Sequence, residues 1–338
     1  YNEIEALTIC TAFPTQKSTA NNSLKSIAVL EQTTADLGFL ASQVIIESKK
    51  IDISEIGVLI LFTKTPDYRG PATAMVLQNR LKIPQDCIVY DSSVGNGGFE
   101  NAVNLGASVL SSINKKYALV VFGDTVSKQL SDEDVDQLFF QDGATAILIQ
   151  KGKNCFPISM STMTLSNEWS SFMVPSGGFR NSAVFFKNLH SKRNNQLDQH
   201  LHIDYSKINI VLQPEFDAIK NKVNDLIQKE SASNFIILIN LIEPAIEKKL
   251  ALFFRPETYS NDIYISSDYL IQTMASTIPI MLEKIALDKK KYPLQVISIS
   301  LGEGLCINMT SITIQKDTVL ESIYSDAYYN NGFVTQEM

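Results

Sequence analysis

Uninterrupted apolar runs along this chain alternate with stretches in which apolar residues recur at helical spacing. Runs such as "IGVLILFT" (56–63) and "ALVVFG" (118–123) leave no polar face for water, so they predict strands covered on both sides. The pattern predicts strands over 56–63, 87–91, 118–123 and 144–150, with helices over 71–81 and 97–114. It then repeats, with strands over 234–240, 262–266, 294–300 and 305–314 and helices over 243–253 and 272–287. Strands and amphipathic helices alternating twice over predict a layered α/β duplication. A further helix begins near Thr34 or Ala35.

One strand-to-helix junction, "YDSSVGNGGF" (90–99), has the form of a nucleophile corner. After it, Phe99, Ala102, Val103, Gly106, Val109, Leu110 and Ile113 fall on one helical face, and small residues at 106 and 107 suit a helix packed closely on several sides. A helix N-terminus favours negative charge, which is why reactive thiolates are placed there. This corner has no Cys, Lys or His. On local grounds Asn96 reads as a helix N-cap and the neighbouring glycines as a tight turn. Asn240 reads as a strand-end polar group and Gln272 as a polar residue opening a helix.

Composition narrows the field. The 338 residues suffice for two full cores. The net charge of −7 and dispersed lysines exclude a basic stripe for nucleic acid. No apolar run approaches the ~18 residues that would suggest a membrane span, and no signal peptide is evident, so a cytoplasmic protein is expected. Cys10, Cys87, Cys155 and Cys306 are widely spaced without a Cys-x-x-Cys pair, which predicts reduced thiols and no metal site. The expected organisation is an N-terminal half (1–150), an insertion or connector (151–205) holding Pro175 and all three histidines (His190, His200 and His202), a C-terminal half (206–315) and a tail (316–338). The tail is expected either to dock on the body or a partner, or to stay loose.

Four ordered stretches, "TKTPDYRGPATAMVLQNRL" (63–81), "YDSSVGNGGF" (90–99), "ALVVFGDTVSKQLSDEDVDQLFFQDGATAILI" (118–149) and "HLHIDYSKINIVL" (200–212), resemble the ketoacyl-ACP synthase III family of condensing enzymes. The resemblance implies a thiolase-like fold with duplicated βαβαββ halves in five αβαβα layers, and no cofactor. It also implies a Cys nucleophile with a His and an Asn that polarise a thioester carbonyl during decarboxylative condensation. The family pattern places those three groups on Asn96, Asn240 and Gln272, so the whole triad is replaced. The family's glycine-rich oxyanion turn falls on Gly302, Glu303 and Gly304, where Glu303 is expected either to bring a carboxylate towards the site or to face solvent. Ser93 and Gly97 are further pocket candidates. The adenine-clamp segment expected between Ser23 and Ile27 is absent, and a family Arg falls on Val135.

The resemblance thus implies a non-catalytic subunit or acyl-binding partner in fatty-acid or polyketide-type assembly. Its expected partners are an active synthase III-like subunit and an acyl carrier protein, in a homo- or heterodimer formed through the edge strand 87–90. The alternatives are an active acyltransferase or condensing enzyme using Ser93 or Glu303, a malonyl decarboxylase in which Asn96 acts through its amide, and a purely structural homodimer.

Overall fold

The computed structural model describes residues 4–20, 23–130, 139–153, 156–175, 177–178, 180, 200–228, 235–254, 262–269, 272–288 and 292–330. Cys155, Val135, His190 and the 181–199 stretch of the expected connector lie outside these residues, as do tail residues 331–338. The strands of the first half are β1 (Ile4–Phe13), β2 (Lys17–Ala20), β3 (Ser23–Ser26), β4 (Ile56–Phe62), β5 (Ile88–Ser92), β6 (Tyr117–Asp124) and β7 (Gly143–Lys151). They are followed by β8 (Ser159–Thr164), β9 (Phe172–Met173), β10 (His202–Ile203), β11 (Phe235–Asn240), β12 (Ile263–Ile265), β13 (Leu294–Gly302), β14 (Cys306–Ile314) and β15 (Ile323–Tyr324). The helices are α1 (Thr34–Ser48), α2 (Thr73–Leu81), α3 (Gly98–Ser111), α4 (Tyr205–Leu212), α5 (Phe216–Gln228), α6 (Pro244–Phe254) and α7 (Thr277–Asp288).

Two sheets carry the duplication. One has the order β15-β1-β7-β6-β4-β5 and the other β12-β11-β13-β14-β8. β5, β4 and β6 run parallel, with β7 and β1 antiparallel beyond them; β12, β11 and β13 repeat the parallel part, and β14 and β8 the antiparallel part. Every residue of β4 is buried, as a continuous apolar run requires when both faces are covered. The inner core joins α3 and α7 to facing residues of both sheets. α1 and α2 cover the outside of the first sheet, and α5 and α6 cover that of the second. The result is the five-layer αβαβα sandwich, with α3 in its middle layer. A Cβ on Gly106 would lie 2.6 Å from Val120 and 2.7 Å from Ile149, so the absence of a side chain lets α3 sit close to its sheet.

Two helix starts differ from the periodicity. α2 begins at Thr73 rather than 71, because the Asp91 carboxylate of β5 accepts the Thr73 and Ala74 N–H groups at 2.6 and 2.8 Å. Gln272 does not open a helix. Its N–H and C=O are spent on Phe139 and Gln141 (3.1 and 2.9 Å), and α7 starts five positions later, after a short turn at Met274–Ser276.

The tail docks as far as Asn330. β15 pairs in parallel with β1, Glu283 of α7 accepts the Ser322 N–H at 2.8 Å, and Gln32 donates to the carbonyls of Ser325 and Ala327. Buried Asp36 closes the path: it accepts from Thr33 N–H (2.9 Å), Arg80 (2.9 Å) and Tyr329 N–H (3.0 Å). The Arg80 guanidinium lies over both Phe39 and Tyr329, 4.5 and 4.7 Å from the ring centres. Asp36→Ala removes a helix cap and strands a buried cation, so it is expected to cost about 3 kcal/mol in urea unfolding; a loss below about 1 kcal/mol would contradict this latch.

Candidate functional site

The corner forms where the start of α3 meets the end of β13. Gly97, at φ 73°, is the residue that caps α3; it adopts the left-handed conformation that glycine tolerates best. Asn96 is not the cap. Its side chain is wholly buried and donates through Nδ2 to the Leu301 carbonyl of β13, a tertiary partner that replaces the local one.

That bond also sets the orientation of the amide. A carbonyl only accepts, so Asn96 turns its Oδ1 towards Asn240, which ends β11 and donates through Nδ2 at 3.1 Å. Asn240 Oδ1 is left buried without a hydrogen-bond partner. A parallel relay holds Gln272. Glu247 accepts from Leu241 N–H (2.9 Å), Ser267 N–H (3.0 Å) and the Ser266 hydroxyl (2.5 Å), and Ser266 in turn accepts from Gln272 Nε2 at 2.7 Å. Gln272 Oε1 is likewise buried and unpartnered. At both positions the free polar atom is an amide oxygen, and an orphaned buried acceptor costs about 1–3 kcal/mol. The structure thus joins Asn96 directly to Asn240 and ties Gln272 into a separate network. Ser93 is exposed, outside the buried run Gly95–Glu100.

Glu303 lies in the turn between β13 and β14. Its Oε1 accepts the Asn96 backbone N–H at 3.2 Å rather than facing solvent. A Cβ on Gly95 would collide with that oxygen and lie 2.7 Å from Lys64 Cγ, so Gly95 leaves the room in which the carboxyl sits. Burial pushes the Glu303 carboxyl above its usual range, and the charge of Lys64 pulls it back.

Two further carboxyls beside the corner went unnoticed in the sequence. Asp124, at the end of β6, is buried and accepts from Lys64 N–H (2.6 Å) and the Thr63 hydroxyl (3.0 Å), while its Oδ2 has no partner. Burial first, and then the charge of Glu303, push it to about 7. Glu100, in the first turn of α3, is wholly buried and takes a 2.7 Å bond from Ser300; burial pushes it to about 7. A single charged residue at 100, on a helix that carries no other charge, was the available signal. Among the described residues no group of His, Cys, Asp and Glu could hold a metal ion, and no helix is long and apolar enough to cross a membrane.

Comparison with known proteins agrees with this architecture. Solved structures superpose over nearly the whole chain. A 3-oxoacyl-(acyl-carrier-protein) synthase from Burkholderia xenovorans matches at TM-score 0.80 and 20% identity, covering 96% of this chain and 97% of its own. The priming β-ketosynthase of the R1128 polyketide pathway matches at TM-score 0.76 and 13% identity, covering 94% and 98%. The fold is therefore that of the thiolase-like condensing enzymes. In sequence, the family model for 3-oxoacyl-[acyl-carrier-protein] synthase III matches residues 90–165. The β-ketoacyl-[acyl-carrier-protein] synthase III of Pectobacterium atrosepticum is 35% identical over 126 residues, 37% of this chain and 39% of that protein. Its counterpart from Wolbachia pipientis subsp. Culex pipiens is 35% identical over 128 residues, 37% of this chain and 40% of that protein. In sequence the chain is thus similar to the ketoacyl-ACP synthase III family over part of its length, and these matches span about two-fifths of the relatives' lengths.

The buried acids set a pH dependence. Glu100 rises from 4.5 to about 7 on folding, so the folded chain holds a proton that the unfolded chain has released. Its contribution is intact below about pH 4.5 and is lost as pH rises towards 7. Glu100→Gln is expected to reduce that loss by roughly 3 kcal/mol, read from urea unfolding at both pH values; an unchanged slope would contradict the burial of this carboxyl.

Proposed function

We propose that this chain is a ketoacyl synthase III-like protein that does not condense thioesters, and that it serves as a non-catalytic subunit or acyl-binding partner in acyl-chain assembly. The observation that carries this reading is the state of Asn96: a buried amide held between Leu301 and Asn240. An amide nitrogen has no basic lone pair with which to form an acyl-enzyme. The rest of the corner supports the same conclusion. Polarising a thioester carbonyl needs hydrogen-bond donors, whereas Asn240 and Gln272 each spend an amide N–H on a neighbour and keep an unpartnered oxygen. Asn96 N–H, a donor that could meet an oxyanion, is taken by Glu303. Malonyl decarboxylation through Asn96 would meet the same shortage of donors.

The relatives are named as synthases of acyl-carrier-protein substrates, and an acyl carrier protein is the partner we propose here. β5 is an edge of its sheet, and Ile88 on it is 39% exposed, which supports pairing with an active synthase III-like subunit or a second copy. Intact-protein mass spectrometry after incubation with acyl-CoA and acyl-carrier-protein thioesters should show no adduct, and malonyl-carrier protein should release no carbon dioxide. A stable acyl adduct, or decarboxylation abolished by Asn96→Ala, would overturn the proposal.

A further inference from the structure

The turn that carries Glu303 is pinned on both sides. Gly302 lies against the α3 corner so closely that a Cβ there would sit 2.6 Å from the Asn96 carbonyl oxygen. Beyond Glu303, Gly304 N–H donates to Phe172 O (3.2 Å), and the carbonyl of buried Leu305 accepts from Leu165 N–H (3.0 Å). Gly304 and Leu305 are both left-handed, at φ 70° and 56°, a conformation that an ordinary side chain such as Leu305 adopts only when its surroundings hold it there. The turn therefore delivers the Glu303 carboxyl to one place.

That place has the parts of a carboxylate site. It has the Asn96 backbone N–H at the head of the fourteen-residue helix α3, the Lys64 charge beside it, and a volume kept open only because residue 95 lacks a side chain. Asp124 is the opposing charge; its own burial, which pushes it to about 7, limits how strongly it repels. A carboxylate is already bound there, and it belongs to the chain.

We propose that Gly95, Asn96 N–H and Lys64 form a carboxylate-binding seat that is filled internally by Glu303, so that a free small carboxylate occupies it only when that side chain is removed. The chain thus carries its own competitor for any ligand whose carboxylate or carbonyl oxygen would take the Asn96 N–H. This holds whether or not the chain turns over a thioester, and its test reads stability rather than turnover.

The experiment is a thermal-melt titration of the full chain with sodium formate against sodium chloride at equal ionic strength. Glu303→Ala should melt below the wild type and recover saturably with formate alone; formate at ten times its Kd shifts the folding constant about 11-fold. The wild type should show no formate-specific response. Adding Gly95→Ala to Glu303→Ala refills the seat with a methyl group and should abolish the recovery, and Lys64→Met should weaken it. A Glu303→Ala chain that responds to formate no more than to chloride would overturn the proposal. If that variant folds poorly, refolding decides: recovery in formate but not in chloride supports the seat, and equal failure in both overturns it.

Discussion

The corner depends on one close approach, that of the α3 N-terminus to the end of β13. α3 is sandwiched between two sheets, so its first turn arrives within hydrogen-bonding reach of a strand from the other half. Asn96 spans that gap through the Leu301 carbonyl, and Gly302 permits it by having no Cβ to strike the Asn96 backbone. The direction of this bond then decides the rest. Because Leu301 can only accept, Asn96 presents an oxygen to Asn240, and Asn240 in turn is left with an oxygen. The corner thereby presents the amide oxygens of Asn96 and Asn240, the second of them unpartnered.

The surrounding acids fit the same picture. Glu100, Asp124 and Glu303 are all pushed upward, with burial the leading cause at each. Carboxyls kept towards neutrality can coexist near the head of one helix, whereas three full charges in so dry a place would repel strongly. Lys64 is the balancing cation for the most exposed of them, and Gly95 gives both side chains room. The corner retains the helix start and tight turn that make a nucleophile site, with its polar groups satisfied by one another or left as acceptors.

Much of the fold was legible because buried parallel strands are written as unbroken apolar runs. "IGVLILFT" and "LQVISIS" became β4 and β13, and the repeated alternation became two sheets of matching order. The misses share a cause: partners distant in sequence override local preference. Asn96 reads as an N-cap from its neighbours alone, but Leu301 lies 205 residues away and Gly97 takes the cap instead. Asp91 trims the start of α2 from a neighbouring strand, and Gln272 loses its helix to Phe139 and Gln141. The apolar residues of the tail follow no regular period, and its order rests on the packing of Leu320 and Ile323, on backbone pairing with β1 and on the Asp36–Arg80 pair, which no periodicity displays. The role of Glu303 turned on which way one side chain points, which only the pinned turn decides.

We propose that the whole corner, rather than the lack of a thiol alone, keeps this chain from condensing thioesters. Asn96→Cys tests it most directly. This variant restores a nucleophile at the head of α3 while leaving Asn240, Gln272 and Glu303 in place. The account predicts that, mixed with acyl-CoA and malonyl-carrier protein, it yields no condensed product and no carbon dioxide. Sustained turnover by that single variant would contradict the account, since it would show that Asn240, Gln272 and Glu303 do not hold the chemistry back.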